Sequence, residues 1–275
     1  MHKICAGIVT FNPELDLLTK NIDSIINQVN CLIVVDNGSK DYAEAKKILQ
    51  ERNIIIIKNN ENLGIAKALN QLCKKAEELN YDWILTLDQD SISPESLVLK
   101  LAENIKDDVA IIAPNIIYKN NESFSDKNTH GIKEVEWVIT SASLTNLKIW
   151  KSLGGFDEIL FIDGVDRDYG IRATKAGYKV IKCYDVKLLH ELGNLECRRR
   201  FGRTIYVTNH SALRKYYMVR NAIYLDKKHR ESLAQKYIMK NIIKTILYEK
   251  DKIEKMDSIL KGIKDGIELA KEYKQ

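Results

Sequence analysis

Two groups of carboxylates are the residues in this sequence best suited to chemistry. Asp88 and Asp90 follow the apolar run WILTL, so one turn at the end of a predicted strand presents both side chains. Two close carboxylates repel each other and favour a hard divalent cation, which takes oxygen ligands and is commonly completed by substrate phosphates. Turns and helix N-caps use the same residue types, so a D-x-D spacing alone is weak evidence. The position at a strand end favours a metal and phosphate site.

The second acidic group lies in FIDGVDRDYGIR, where Asp163, Asp166 and Asp168 crowd ahead of a predicted helix that runs through Arg172 and ends at Gly177. Carboxylates at a helix N-terminus often act only as caps that the helix dipole favours. Three of them, at spacings of three and two residues, cannot all cap. At least one is therefore predicted to handle a proton or a ligand.

One imidazole adds to these groups. His190 is predicted to stand in a loop after the strand-like run VKLL. A lone histidine is more often structural than a metal ligand. Near two carboxylates it would complete a mixed site for Mn2+ or Mg2+, and neutral imidazole suits Mn2+ better.

Basic residues concentrate in one span, although the net charge of the whole chain is only +5. The span contains Arg198, Arg199, Arg200, Arg203, Arg214, Lys215, Arg220, Lys227, Lys228 and Arg230. It is interpreted either as a solvated surface or as a face for a diphosphate, an anionic lipid head group or nucleic acid. The acidic loops would repel a polyanion and no extended aromatic platform accompanies the span, so no nucleic-acid partner is predicted.

The first half of the chain alternates short β-branched runs with helical patterns, which predicts an α/β fold on a parallel sheet. The predicted strands are residues 4–10, 31–35, 54–58, 83–87 and 109–113. Ligands of open parallel sheets lie beyond the carboxyl ends of the strands, so the loops after these runs are expected to form the site. Taken singly, the second and third loops are equally well explained as ordinary turns.

The remaining segments are less regular. Residues 114–165 are predicted to add antiparallel structure to the sheet, with a strand in VEWVITSASLT and a short helix around LKIWKSLGGFD. Residues 231–275 predict two or three amphipathic helices, which either pack against the preceding domain or a second subunit, or bind an anionic membrane surface.

Composition excludes several classes of protein. No apolar run approaches the roughly 20 residues that span a bilayer, and the N-terminus is interpreted as a strand and not as a signal peptide. The five cysteines have no C-x-x-C spacing, so neither a disulfide framework nor a structural zinc site is predicted. A reducing cytoplasm fits this cysteine usage.

Several sequence motifs together resemble those of a known protein family. GIVTFNP, VVDNGS, NLGIAKALN, LTLDQDS and LGGFDEILFIDGVDRDYGIR occur in the order and spacing of the family 2 inverting glycosyltransferases, which have the GT-A fold. The segment from His190 to Gly193 and the string NHSALRKYYMVRN resemble the bacterial rhamnosyltransferase-like branch. The resemblance covers roughly residues 3 to 225. It implies a Rossmann-like, mostly parallel nucleotide-binding sheet with helices on both faces over residues 1–230, and a C-terminal helical extension over residues 231–275.

The resemblance also implies roles for individual residues. Those implied to bind the nucleotide sugar are Thr10, Phe11, Asn12, Asp36, Asn62, Gly64, Lys67, Asp88 and Gln89. Asp88, Asp90 and His190 would hold Mn2+ or Mg2+. Counting back from Arg172 aligns Asp166 with the general base, and Asp168 is the neighbour that competes for this assignment. Residues implied near the diphosphate or the acceptor are Arg214, Tyr216, Tyr217, Arg220 and Asn221.

The implied activity is transfer of a sugar, with rhamnose from dTDP-L-rhamnose as first choice, to a saccharide acceptor in bacterial cell-surface polysaccharide synthesis. This class of product includes O-antigen, capsule and cell wall. UDP-hexose or UDP-N-acetylhexosamine donors remain an alternative, and a non-catalytic nucleotide-binding protein is a distant one. The acceptor's attachment to a lipid diphosphate, contact with the inner face of the cell membrane and a homo-oligomeric state are left open.

Two positions depart from the family pattern. Ala142 stands where glycine is frequent, and Gly164 stands where a bulkier residue is common. The first change is expected to narrow the acceptor pocket. The second is expected to loosen the loop that carries Asp166.

Overall fold

The computed structural model describes residues 2–118, 129–190, 196–200 and 203–273, with only the backbone described at residues 118, 190, 197–200 and 203–205. The chain forms two compact units. The first comprises Met1–Phe161 and Val165–His190, and the second comprises Ile162–Gly164 and Glu191–Gln275. This division falls earlier in the chain than the predicted boundary at residue 230.

The first unit is built on one mixed sheet. Its strands are β1 (Ile4–Thr10), β2 (Leu32–Asp36), β3 (Ile55–Lys58), β4 (Trp83–Asp88), β5 (Val109–Tyr118), β6 (Ile132–Glu134), β7 (Ser143–Asn146) and β8 (Lys179–His190). They are arranged in the order β3-β2-β1-β4-β7-β5-β8-β6. Strands β1 to β4 pair in parallel, β5 pairs in parallel with β8, and β7 is antiparallel between β4 and β5. The predicted, mostly parallel sheet is therefore confirmed.

Helices cover both faces of this sheet. They are α1 (Leu15–Ile25), α2 (Tyr42–Glu51), α3 (Ile65–Glu78), α4 (Leu97–Ala102), α5 (Leu147–Ser152) and α6 (Val165–Lys175), with a single 3-10 turn at Ile26–Gln28. Helix α4 is shorter than the pattern SPESLVLKLAENIKDD predicts. Its start is delayed because Ser96, just before it, has the left-handed φ of +62°, which is incompatible with a right-handed helix.

The core lies between the sheet and these helices. All five residues of β2 are buried, as a strand covered on both faces requires. Ile8, Val34, Leu85 and Leu144 belong to one buried apolar cluster. Its strands end in polar loops at one edge of the sheet, which is where the sequence places the candidate site.

Three local predictions were wrong. Only the last three residues of the run VEWVITSASLT are in a strand, β7 (Ser143–Asn146), because Ala142 before it turns the chain with φ of +57°. His190 is not in a loop but is the last residue of β8, where its backbone pairs with Tyr118 of β5. Asp166 and Asp168 do not precede α6 but lie in its first turn.

The second unit combines a hairpin with three helices. Strands β9 (Glu196–Arg200) and β10 (Arg203–Val207) are antiparallel. The helices are α7 (Ala212–His229), α8 (Ala234–Tyr248) and α9 (Lys252–Glu272), so the predicted C-terminal helices are present. None of the helices in the described residues is both long enough and apolar enough to span a membrane.

The two glycines of α9 have a packing role. A Cβ atom on Gly262 would lie 2.6 Å from the backbone oxygen of Tyr216, and one on Gly266 would lie 2.9 Å from that of Arg220. Glycines four residues apart share one helix face. They allow the backbones of α7 and α9 to come into direct contact, which explains why α7 groups with the C-terminal helices.

Candidate functional site

The loops after β1 and β2 are joined through a buried carboxylate. Asp36 is fully buried, and its Oδ1 accepts a hydrogen bond from the Ser39 N–H at 3.0 Å. Its Oδ2 accepts one from the Thr10 hydroxyl at 3.3 Å. Thr10 is itself buried. These two predicted nucleotide-binding residues therefore bind each other and fix the relative position of the two loops.

Phe11 and Asn12 stand at the exposed tip of the first loop. The Phe11 N–H donates to Gln89 Oε1 at 2.8 Å, which ties this loop to the D-x-D turn. Asn12, with φ of +46°, accepts from the Lys40 N–H at 2.9 Å through its side-chain oxygen. The Phe11 side chain is 42% exposed, so an aromatic face is available beside the D-x-D turn for stacking.

Asn37 is a residue that the sequence interpretation missed. Its side-chain nitrogen donates to Asn62 Oδ1 at 3.0 Å and to the Gly64 carbonyl at 3.2 Å. Its side-chain oxygen accepts from Asn59 Nδ2 at 3.0 Å and from the Leu63 N–H at 3.1 Å. A buried carboxamide with this many partners locks the β2 and β3 loops together. The signal was the string DNG directly after a strand, which was treated as an ordinary turn.

Asn62 and Gly64 determine the backbone conformation of the loop between β3 and α3. Gly64 has φ of +85°, and a Cβ atom there would lie 2.6 Å from the Phe161 backbone oxygen. The Gly64 N–H donates to Asn62 Oδ1 at 2.9 Å, and the Ile65 N–H donates to the Phe161 carbonyl at 2.7 Å. Glycine is required at position 64 because of this backbone conformation and because there is no space for a Cβ atom. The start of α3 is thereby held against Phe161.

Lys67, one turn further along α3, has a different setting. Its ammonium group lies 3.5 Å from a carboxylate oxygen of Glu158, and both side chains are about half exposed. An ion pair of this kind contributes little to stability. The side chain can exchange this partner for an anionic ligand at small cost.

The D-x-D turn is braced from inside the protein. The Asp88 carbonyl, at the end of β4, accepts from Asn21 Nδ2 at 2.5 Å and from the Ser91 N–H at 3.3 Å. Asn21 is fully buried on α1 and was not identified from the sequence. Asp90 is exposed in the turn, and its carboxylate has no hydrogen bond or ion pair to the rest of the described chain. Two carboxylates in one turn, one of them open to solvent, fit the oxygen ligands of a hard divalent cation.

The predicted third metal ligand lies outside the described side chains. The backbone of His190 ends β8, but its side chain and residues 191–195 are not among the described part of the chain. Within the described residues, no three His, Cys, Asp or Glu side chains are grouped as a metal site would require. The metal-ligand set of Asp88, Asp90 and His190 therefore stays a prediction.

The carboxylates of the second acidic group have different surroundings. Asp168 is fully buried and accepts from Arg172 Nε at 2.8 Å. The other nitrogens of Arg172 donate to the carbonyls of Leu153 at 2.8 Å and Gly155 at 2.7 Å. This network attaches α6 to the turn after α5 and engages the Asp168 carboxylate. Asp166 is partly exposed in the first turn of the same helix.

Asp163 belongs to the second unit and binds an arginine. Its two oxygens lie 3.1 and 2.9 Å from Nε and Nη2 of Arg214, a bidentate pair. Beside it, burial and then the positive charge of Arg214 lower the pKa of His210 to about 4. His210 is therefore neutral near pH 7. The sequence placed Arg214 near a diphosphate or acceptor, and the structure gives it a carboxylate partner.

Arg220 forms a second arginine site on α7. Its Nε and Nη2 donate to Asn221 Oδ1 at 2.9 and 2.7 Å, and its guanidinium lies 4.7 Å from the centre of the Tyr217 ring. Asn221 Nδ2 in turn donates to the carbonyls of Ile162 at 2.7 Å and Asp163 at 2.8 Å. The structure thus brings Arg220, Tyr217 and Asn221 together, and their place near the diphosphate or the acceptor stays a prediction.

One residue of the basic span, Lys215, does not lie on the surface. Lys215 is buried, and its Nζ lies 2.6 Å from a carboxylate oxygen of Glu249. The prediction that it faces an external anion is wrong for this residue. The side chains of Arg198, Arg199, Arg200 and Arg203 lie outside the described part of the chain.

The two departures from the family pattern have backbone explanations. Ala142 is buried in the apolar core, so its methyl group does not line an acceptor pocket. Its φ of +57° explains why glycine suits this position. Gly164 has φ of +89°, and a Cβ atom there would lie 2.8 Å from Leu225 Cδ1. The glycine fits a close contact with α7 and does not mark a loose loop.

Comparisons with known proteins agree with this architecture. The sequence model described as Glycosyl transferase family 2 matches residues 5–169. The chain is 28% identical over 288 residues to the protein described as dTDP-rhamnosyl transferase RfbF of Shigella flexneri, covering 96% of this chain and 95% of that protein.

Two solved structures show a similar fold. One is GalNAc-T7 with UDP, GalNAc and Mn2+, at a TM-score of 0.59 and 13% identity over 98% of this chain and 56% of that one. The other is the mannosyltransferase PcManGT of Pyrobaculum calidifontis in complex with GDP-Man and Mn2+, at a TM-score of 0.58 and 13% identity over 99% of this chain and 76% of that one. At this identity they support the fold alone, and the predicted GT-A architecture is confirmed.

Proposed function

The chain belongs to glycosyl transferase family 2, and from this premise we propose that it transfers rhamnose from dTDP-L-rhamnose to a saccharide acceptor with inversion of configuration. The observation that carries the donor assignment is the similarity to a dTDP-rhamnosyl transferase over nearly the whole length of both chains. The match to the poly-beta-1,6-N-acetyl-D-glucosamine synthase of Staphylococcus aureus covers only 35% of this chain. A UDP-sugar donor is therefore the second choice.

Asp166 is proposed as the general base. Its carboxylate takes the proton of an acceptor hydroxyl while the hydroxyl oxygen attacks the anomeric carbon, and the nucleoside diphosphate leaves from the opposite face. The bond to the acceptor forms as the bond to the diphosphate breaks, so no covalent enzyme intermediate is needed. The assignment is supported by the burial of Asp168 and its contact with Arg172, which leave Asp168 unsuited to this task.

The donor site is proposed at the polar edge of the sheet. Phe11 stacks on the base, Asn12, Asn62 and Lys67 line the nucleotide, and the buried contacts of Thr10 and Asp36 hold the loops in place. Gly64 allows the start of α3 to lie against Phe161, and Gln89 keeps the D-x-D turn beside Phe11. Asp88, Asp90 and His190 would hold Mn2+ or Mg2+, which when bound would neutralise charge on the departing diphosphate.

The acceptor side and the cellular setting complete the proposal. Arg214, Tyr217 and Arg220, which the family resemblance implies near the diphosphate or the acceptor, are proposed to bind one of these groups, and arginine suits phosphate oxygens because it can bind them bidentately. The acceptor is a saccharide of bacterial cell-surface polysaccharide synthesis, carried on a lipid diphosphate or not. We place the enzyme in the cytoplasm, with or without contact with the inner face of the membrane, and assign catalysis to residues 1–230 and a helical extension to residues 231–275.

A donor screen tests the function. Release of nucleoside diphosphate is measured with dTDP-L-rhamnose, UDP-glucose, UDP-galactose and UDP-N-acetylglucosamine, each with MnCl2. We expect turnover with dTDP-L-rhamnose to exceed that with each UDP-sugar by about a hundredfold or more, because the site must match both base and sugar. Equal or faster turnover with a UDP-sugar would replace the donor assignment and leave the family assignment standing.

Metal dependence gives a separate prediction. Replacing Asp90 by Ala is expected to weaken binding of dTDP in MnCl2 by about tenfold or more, because the ion loses a carboxylate ligand. His190→Ala is expected to act in the same direction. In EDTA both variants should bind dTDP as the unmodified protein does. Isothermal titration calorimetry measures these affinities.

A matched control removes a carboxylate elsewhere. Asp257 is exposed on α9, and Asp257→Ala should leave the affinity unchanged in both buffers. If the unmodified protein binds dTDP equally well in MnCl2 and EDTA, the metal assignment is rejected.

A further inference from the structure

Two of the three buried residues of helix α8 are polar, whereas several of its large apolar residues are exposed. Its buried residues are Ala234, Asn241 and Thr245. Its exposed apolar side chains, each 46–57% exposed, are Met239, Ile243, Ile246 and Leu247. A helix on the surface of a globular protein normally has the opposite arrangement.

The exposed apolar residues form one continuous stripe. Met239, Ile243 and Ile246 are separated by four and three residues, so they lie above one another on a helix, and Leu247 lies beside them. We call these four residues the α8 outer stripe. A contiguous exposed apolar surface of this kind marks a contact with a partner or a membrane.

The inner face prevents the helix from turning the stripe inward. Asn241 Oδ1 lies 3.3 Å from Lys215 Nζ of α7. Glu249, directly after α8, binds Lys215 at 2.6 Å and Lys255 of α9 at 3.2 Å. Rotating α8 would expose or separate these buried groups at high cost. The outward position of the stripe is therefore fixed by contacts within the second unit.

The charges around the stripe indicate the kind of partner. Helix α8 carries Lys236, Lys240 and Lys244 and contains no Asp or Glu. Lys236 and Lys240 are exposed, and Lys244 is partly buried with its Nζ donating to the Tyr206 carbonyl at 3.1 Å. A second copy docked through the same face would bring the lysines of both helices together without a carboxylate on either helix. Anionic lipid head groups supply the missing negative charge.

We propose that the α8 outer stripe and its lysines dock the protein on an anionic lipid bilayer, with the apolar side chains entering the boundary between head groups and acyl chains. The helix lies in the plane of the interface and does not cross the bilayer. This inference rests on the surface of the second unit and does not depend on which sugar nucleotide is the donor. It supplies a physical means for the enzyme to work at a membrane.

Vesicle co-sedimentation tests the proposal. The full chain is mixed with vesicles of phosphatidylcholine, with or without phosphatidylglycerol. We expect binding to the vesicles that contain phosphatidylglycerol, weakened by salt. The double variant Ile243→Ser/Ile246→Ser should bind about tenfold or more weakly because it buries less apolar surface. Lys236→Gln and Lys240→Gln should each weaken binding roughly fivefold.

Matched controls keep the test specific. Leu99→Ser removes an exposed apolar side chain from α4, and Lys74→Gln removes an exposed lysine from α3; neither should change vesicle binding. Circular dichroism confirms that each variant is folded, and release of nucleoside diphosphate in solution should be unchanged in the double variant.

Three results would overturn the proposal. One is failure of the unmodified protein to bind vesicles that contain phosphatidylglycerol. Another is equal binding by the double variant. The third is a dimer in solution that Ile243→Ser/Ile246→Ser converts to a monomer, since a second copy would then cover the stripe.

Discussion

Replacing Asp166 by Asn is expected to lower the rate of sugar transfer by about a hundred- to ten-thousandfold, the usual contribution of a positioned general base. The substitution keeps the size of the side chain and its place in the first turn of α6. It removes the ability to take the acceptor proton. Binding of dTDP in MnCl2 should persist, because Asp166 is not among the proposed metal or nucleotide contacts. Single-turnover measurements with donor and acceptor separate the two effects.

Two further variants test whether a loss of activity in Asp166→Asn is specific to the general base. Asp168→Asn is expected to lower stability, since it weakens the buried contact with Arg172, and any loss of activity should follow the loss of folded protein. Glu254→Gln removes an exposed carboxylate from the first turn of α9 and should leave transfer unchanged. Normal turnover in Asp166→Asn would refute its role as base. A folded but inactive Asp168→Asn variant would transfer that role to Asp168.

The contrast between Asp166 and Asp168 shows what the sequence could and could not predict. The motif placed both carboxylates near one site, and the spacing of Asp168 and Arg172 already allowed an ion pair along one helix face. The carbonyls of Leu153 and Gly155 that complete the site of Arg172 come from another part of the chain. No local pattern encodes such contacts, so the burial of Asp168, which supports the proposal of Asp166 as the base, could not be predicted from the sequence.

The sheet likewise depends in part on contacts between residues distant in the chain, which the sequence does not reveal. Strands β1 to β4 were predicted within one residue because each has a continuous run of mostly apolar residues, as strands of a parallel sheet commonly do. Strand β7, which pairs between β4 and β5, has only four residues and was merged into a longer predicted strand. Its position depends on partners distant in the chain. The amide network of Asn37 was missed for the same reason, since a single Asn in a turn does not reveal its partners.

The spacing of apolar residues correctly predicted helices at the C-terminal end of the chain, but it could not predict which face of α8 is buried. Apolar residues at helical spacing ordinarily indicate the inner face. Here the inner face is determined by Lys215, Glu249 and Lys255, which come from α7, the end of α8 and α9. Their side chains are at most 5% exposed. Two buried ion pairs, one of them between residues 34 positions apart, thus outweigh the local apolar pattern.

Replacing Glu249 by Gln is expected to lower the free energy of unfolding by about 3–5 kcal/mol, the usual cost of removing one partner from a buried ion pair. Each carboxylate oxygen of Glu249 binds a different buried ammonium group, at 2.6 Å from Lys215 and 3.2 Å from Lys255. Without the carboxylate, two positive charges share a desolvated site with only amide partners. Urea denaturation followed by far-UV circular dichroism measures the change.

The choice of spectroscopic probe and control makes the test specific for the buried ion pairs of Glu249. All three tryptophans, Trp83, Trp137 and Trp150, lie in the first unit, so fluorescence would report on the wrong part of the chain, whereas circular dichroism detects α7, α8 and α9. Glu77→Gln is the control because Glu77 forms an ion pair of the same 2.6 Å length with Lys151. The side chains of Glu77 and Lys151 are 36% and 70% exposed. This substitution should therefore lower the free energy of unfolding by less than about 1 kcal/mol. If Glu249→Gln costs no more than Glu77→Gln, the buried charges do not hold α8 in place, and the outward position of its apolar residues needs another cause.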